Sequence, residues 1–440
     1  MSQSNELSTA ADLAKDEAFG ERLIAKVSWR LIPFMLLLYV IAYLDRINVS
    51  FAGLQMNKDL GFSDEIFGLG AGAFFIGYFL FGVPSNIMVA KLGARRWISL
   101  IMIVWGCMSV SMSLLQNVYC FYLLRFLLGA AEAGFFPGMI LYLTFWFPRK
   151  DHARAVARFM TAIPLAGVLG GLVSSRILLM SGYMGLPGWK WLFIMTGTPA
   201  IILGFVVFAF LLDGPENCKW LSEEERQWLS RKLAFESLEK SSENKSRKIN
   251  VFKNSKVWHL SILYFCMALG MYGFQLWLPQ IIKSFDKIDD SGSALLSAIP
   301  AVFQAVGMLT LASSSDARKE RRFHVFGSSI LAAAGLVLCG FSKDPVLSLA
   351  CLCLSAFGIW GTVGPFWAMP TSYLSGAEAA AGIGLINSVG NLGGFAGPYI
   401  VGFIKTRASD FLYSLIALAA SLVVAAFLAL ALKKEDAKSG

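Results

Sequence analysis

The chain has 440 residues, of which 56% are hydrophobic and only 15% charged, with a mean hydropathy of +0.61. Soluble domains carry roughly 25% charged residues, so the composition excludes an ordinary water-soluble globule and points to a membrane protein. The net charge of +9 sits in loops between apolar runs rather than in one patch, which reads as a topology signal and not as a nucleic-acid partner; the seven cysteines, mostly inside those runs, have neither disulfide-framework nor metal-ligand spacing.

Residues 1–30 are polar and show no cleavable leader. Six apolar runs follow, near 31–53, 66–88, 97–116, 119–147, 156–180 and 190–212, then a polar linker at 213–256 rich in Glu, Lys and Ser. Six more runs lie near 257–282, 293–314, 323–341, 346–374, 379–404 and 410–432, and a tail closes the chain at 433–440. A bilayer core of about 30 Å takes roughly 20 apolar helical residues, so these runs predict an all-α membrane protein of twelve transmembrane spans in two six-helix bundles, 31–212 and 257–432. Most of the 38 Lys and Arg fall on the side of both termini, among them Arg95 and Arg96 after span 2, Arg149 to Arg158 after span 4, and Arg321 and Arg322 after span 8. That side is expected to be cytoplasmic. The stretch from Gly82 to Arg95-Arg96 returns as Gly307 to Arg321-Arg322, which predicts a parallel internal repeat and with it a transporter whose solute binds at midplane between the halves.

Tyr43-Leu-Asp-Arg-Ile-Asn48, Pro84-Ser-Asn86 with Gly93-Ala-Arg-Arg-Trp97, and Arg125-x-x-x-Gly129-x-x-Glu132-Ala133-Gly134 give the chain its most specific marks. With Trp146-Phe-Pro148, Gly188 to Phe193 and Asp213-x-Pro215, they make it resemble the anion:cation symporters of the major facilitator superfamily, relatives of vesicular glutamate transporters and sialin, over nearly its whole length. The resemblance implies that superfamily's fold, location in the cell inner membrane with both termini cytoplasmic, and work as a monomer. It also implies proton-coupled uptake of a small organic carboxylate, a hydroxy or sugar acid such as tartrate or an aldonate. Similar chains carry aromatic acids such as hydroxyphenylacetate, and organic-anion antiporters belong to the same superfamily. One departure stands out: the acid usual three residues before Gly93 is Ala90 here, whereas the second-half loop keeps Asp316.

Charged residues inside the spans mark the site. Asp45 and Arg46 point about 100° apart on span 1, and each costs about 2.5–3.5 kcal/mol at the bilayer centre unless it faces protein or water. A helix-locking ion pair to another span is the plainer reading; a pathway residue is the sharper one, and the guanidinium fork of Arg46 suits a carboxylate. Arg125 and Glu132 lie about 10 Å apart along one face of span 4, with Glu132 the leading proton-coupling acid, Asp45 a second, and Arg125 either a partner or a pin for the helix end. Spans 7 to 12 hold no charge away from their ends. There the candidates are Gln275, Trp367, Thr371, Asn387 and Asn391, by resemblance contacts for substrate hydroxyls, while Tyr43, Tyr78 and Trp367 could serve an aromatic acid. Packing is the rival explanation for each of these. No nucleotide, hydrolase or zinc motif occurs, so neither an enzyme, a cofactor nor a bound metal is expected; the coupling ion is a proton, with sodium left open.

Overall fold

The computed structural model describes residues 2–243, 251–285, 288–374, 376–408 and 410–432. Among the described residues eleven helices are long and apolar enough to cross a membrane. Spans 1 to 6 are Glu17–Leu60, Asp64–Val89, Ala94–Leu114, Val118–Thr144, Arg149–Leu178 and Gly188–Phe210; spans 7 to 10 are Ser255–Lys283, Asp290–Arg318, Arg322–Phe341 and Pro345–Pro370; span 12 is Leu412–Ala431. Span 11 is the helix Gly376–Ala408, less apolar because of its glycines, Asn387, Asn391 and Pro398, yet packed along spans 2 and 7. Helices satisfy every backbone group internally, which a bilayer core demands. Residues 17–30, read from the sequence as a separate polar segment, are helical and continuous with span 1.

Start signals work where the chain re-enters the apolar layer. Side-chain oxygens of Ser63, Asn117, Asp289 and Asp344 cap spans 2, 4, 8 and 10, accepting from Ile66, Cys120, Gly292 and Leu347 N–H at 3.2, 2.9, 2.9 and 2.7 Å. Exposed rings ring both ends of the bundle, Trp29, Phe210 and Phe252 on the side of the linker and Tyr119, Tyr183 and Tyr413 on the far side, the girdles expected at a membrane's two interfaces.

Glycines set the closest helix contacts, and they do so alike in both halves. A Cβ on Gly129 of span 4 would stand 1.9 Å from the Phe74 backbone oxygen of span 2, and one on Gly307 of span 8 would stand 2.2 Å from the Phe357 oxygen of span 10. Only glycine allows such approach. The linker contains a helix, Glu223–Glu243, which docks on the first bundle: Leu229 is buried, Trp228 meets Phe19, and Lys26 Nζ donates to Glu225 at 2.8 Å. Partial burial alone would raise the Glu225 carboxyl, but Lys26 and Ser222 outweigh it and hold it below the usual carboxylate range.

The basic loops are tied within their own bundles. In the second half Arg321 pairs with Asp316 at 2.6 Å. In the first half, where position 90 has no acid, Arg95 N–H donates to Asp213 Oδ1 at 3.0 Å and its guanidinium to the Phe208 carbonyl at 2.7 Å, so the end of span 6 supplies the missing acceptor.

Candidate functional site

Between the bundles lies a cavity of about 700 Å³ that opens toward the linker side, bounded there by Asn86, Thr144 and Trp367. At the far side the halves are shut against each other. Asp64 and Glu65 of span 2 pair with Lys405 and Arg407 of span 11 at 3.3 and 3.1 Å, Ser291 donates to the Ser175 carbonyl at 2.9 Å, and Gly68 and Gly171 let spans 2 and 5 press on backbone of spans 11 and 8.

Arg46 lines this cavity. Its Nε donates to Glu132 Oε1 at 3.0 Å and its terminal nitrogen donates to the same oxygen. Tyr43, Phe74 and Tyr78 surround the guanidinium, their centroids 5.8, 5.5 and 5.3 Å from its carbon, within cation–π range. Glu132 reaches it because span 4 breaks directly afterwards, at Ala133 and Gly134. Pro137 causes the break, since it has no N–H for the carbonyl four residues back and its ring crowds that carbonyl.

Asp45, turned away from Arg46 by one helical step, points into the first bundle and is 1% exposed. Its Oδ1 accepts from Asn48 Nδ2 at 2.7 Å and from the Ser109 hydroxyl, with Thr196 Oγ1 at 3.3 Å; Oδ2 has no partner. Arg125 is fully buried, donates to the Ala71 carbonyl at 3.3 Å and lies 5.1 Å from the Phe74 centroid, while its Nε and one terminal nitrogen find no acceptor. Phe74 thus neighbours both Arg46 and Arg125. Neither Asp45 nor Arg125 lines the cavity.

On the opposite wall Trp367, Asn387 and Asn391 face the cavity. Gln275 does not: it accepts from Tyr43 O–H at 3.0 Å across the bundle boundary and borders a separate small chamber. The Thr371 side chain lies outside the described residues. Tyr272 of span 7, which the sequence offers beside Gln275 as a selectivity contact, lines the cavity, and so do Tyr39, Phe75, Phe136 and Tyr264, which were not singled out as site residues from the sequence. Tyr264 meets Trp367 edge to face at 4.9 Å and lies against span 11 where Gly390 has no side chain to obstruct it. The available signal was spacing: Tyr39 and Tyr43 precede Arg46 by seven and three residues, which puts all three on one helical face.

A family model described as Major Facilitator Superfamily matches residues 35–398. The chain is 46% identical over 418 residues to a protein of Agrobacterium vitis named "Putative tartrate transporter", a match covering 95% of this chain and 93% of that one. It is 42% identical over 387 residues to the "Quinolone resistance transporter" of Acinetobacter baumannii, covering 88% and 89%, and 38% identical over 419 residues to the "Inner membrane transport protein RhmT" of Escherichia coli K12, covering 94% and 96%. Among solved structures, an inward-facing, unoccupied bacterial homologue of the human lysosomal transporter Spinster superposes with a TM-score of 0.76 at 17% identity, covering 92% of this chain and 96% of that one. The inward-open xylose transporter XylE of E. coli gives 0.75 at 14% identity, covering 94% and 98%. These likenesses agree with the twelve-helix fold read from the sequence. The chain belongs to the Major Facilitator Superfamily and is a multi-pass membrane transporter, not an enzyme.

Proposed function

We propose that the protein takes up a small organic carboxylate together with protons by alternating access, as a monomer in the bacterial inner membrane, with the linker side facing the cytoplasm. The observation that carries this reading is the Arg46–Glu132 pair beside the cavity. Among the described residues lining the cavity Arg46 is the one cation, and an ionised Glu132 occupies it. A solute carboxylate and the Glu132 carboxylate compete for the same fork. Once protonated, Glu132 no longer holds the guanidinium as an ion pair, so the anion binds when the proton does and the two cross together. Asp45, with one carboxylate oxygen free inside the first bundle, is a second proton carrier. An exchanger of two anions would be expected to offer a second cavity-lining cation, and none occurs among the described lining residues.

Relatives named for tartrate make hydroxy acids the first solutes to try. The ring-rich wall, with Tyr43, Tyr78, Tyr264 and Trp367, favours a second reading, an aromatic acid that stacks on it. The test is uptake of labelled carboxylates of both kinds by the purified protein in liposomes, under proton or sodium gradients. Proton-driven uptake is expected to disappear in Glu132→Gln while solute exchange continues, and both should disappear in Arg46→Ala. Uptake by the unaltered protein that ignores the proton gradient would refute the coupling.

A further inference from the structure

Beyond the Tyr43–Gln275 hydrogen bond lies a small chamber of about 30 Å³ between spans 1, 5, 7 and 8, bordered by Ser50, Gly167, Gln275, Ser297 and Gln304. It falls between that bond and the far-side seam where Gly171 meets Ala294 and Ser175 meets Ser291. Along the path from linker side to far side the order is therefore cavity, Tyr43–Gln275 bond, chamber, seam. Ser297 Oγ is occupied by the Ser293 carbonyl at 2.8 Å and Ser50 Oγ by the Ile47 carbonyl at 2.6 Å. Gln304 differs: it is 5% exposed and its Nε2 has no acceptor. An unsatisfied buried amide costs about 1–3 kcal/mol, and a chamber this size has room for a water, which needs roughly 10–15 Å³ of such space.

We propose that this chamber is the collapsed outer half of the solute path and that Gln304 is a binding residue of the outward-open state. Its amide N–H meets an acceptor oxygen, carboxylate or hydroxyl, of a solute arriving from the far side. The Tyr43–Gln275 bond is the partition that keeps this outer subsite apart from the inner cavity. When the seam parts, Gln304 exchanges its enclosed setting for the path, and Gln275, released by Tyr43, joins it; when the seam closes, the solute has moved on to Arg46. Gln304 would thus act in one orientation of the carrier only. The proposal rests on the transport reading above, but its structural part is independent of which solute is carried.

Two measurements on the full-length protein in sealed, uniformly oriented vesicles test it. In Gln304→Cys, a membrane-impermeant maleimide supplied from the far side is expected to modify the thiol at position 304, located by peptide mass spectrometry, with exposed Cys120 as the positive control for reagent access. From the linker side that thiol should stay unmodified until Tyr43→Phe or Gln275→Leu is added. Absence of far-side modification at 304 while Cys120 reacts would overturn the proposal and leave a chamber that only houses structural water. In Gln304→Leu, the half-saturating concentration of labelled tartrate or benzoate supplied from the far side should rise about fivefold, the effect of one lost hydrogen bond, with the linker-side value unchanged. Equal changes on both sides, or none, would also overturn it. If the unaltered protein moved neither acid while the labelling pattern appeared as described, the carboxylate reading would fail and the chamber's place in the path would stand.

Discussion

Replacing Arg46 by lysine would keep a charge beside the cavity and remove the planar fork that two oxygens can share. Half-saturation for a carboxylate should rise about tenfold or more in Arg46→Lys, equivalent to losing one charge-assisted hydrogen bond of about 1.5–3 kcal/mol, and steady-state uptake against solute concentration measures it. The charges Asp45, Arg46, Arg125 and Glu132 were legible in the sequence because a charge inside an apolar run is rare and expensive. What the sequence left open is their partners. That Glu132 meets Arg46 depends on the break after Glu132 and on how spans 1 and 4 face each other, neither of which a single run displays. The cavity's rings were harder still, since Phe75, Phe136 or Tyr264 look no different from packing residues within an apolar stretch. Gln275 shows the opposite difficulty: as a polar residue it was conspicuous, yet it faces the chamber and not the main cavity.

Four spans break, at Gly134, Thr161, Ser297 and Thr362, and each break lies three residues before a proline: Pro137, Pro164, Pro300 and Pro365. Spans 7 and 11, by contrast, run through Pro279 and Pro398 as unbroken helices. A proline announces a missing N–H; neighbouring helices decide whether the backbone yields there. Pro137→Ala is expected to heal the break, swing Glu132 off Arg46 and lower proton-driven uptake at least about tenfold, with thermal stability equal or higher because a helix hydrogen bond is regained; uptake assays beside thermal melts would separate the two effects. Helix contact is tested by Gly129→Ala, which sets a Cβ 1.9 Å from the Phe74 oxygen. Overpacking of this kind costs about 1–3 kcal/mol, so the melting temperature should fall, whereas Gly327→Ala, with nothing within 4 Å, should leave it unchanged or raise it.

At the scale of the whole molecule, the number of spans and the division into halves were legible from hydropathy and from where the basic residues fall. The side on which the cavity opens was not, because it depends on contacts between halves and not on any helix's own pattern. Among the described residues, the ion pairs joining the two bundles both lie at the far side, Asp64–Lys405 and Glu65–Arg407. Partly exposed pairs contribute about 0.2–1 kcal/mol each, so losing both is equivalent to at most about thirtyfold, and reversing both acids, Asp64→Lys with Glu65→Lys, which adds repulsion to that loss, should shift the balance further toward far-side opening. Adding Lys405→Asp and Arg407→Glu should restore it. Reagent access to far-side thiols reads the shift, and rising salt should mimic part of it in the unaltered protein.

The loops after spans 2 and 8 are engaged inside their own bundles, by Asp213 and Asp316, and among the described residues the ion pairs that hold one half to the other lie on the far face. Under the proposed cycle this gives the empty carrier a resting posture, open inward and waiting. Its slowest step is then the unladen return, and solute already present inside should hasten uptake by letting the carrier travel back occupied. A larger initial rate into preloaded vesicles than into empty ones is the kinetic signature that this lopsided fastening leaves behind.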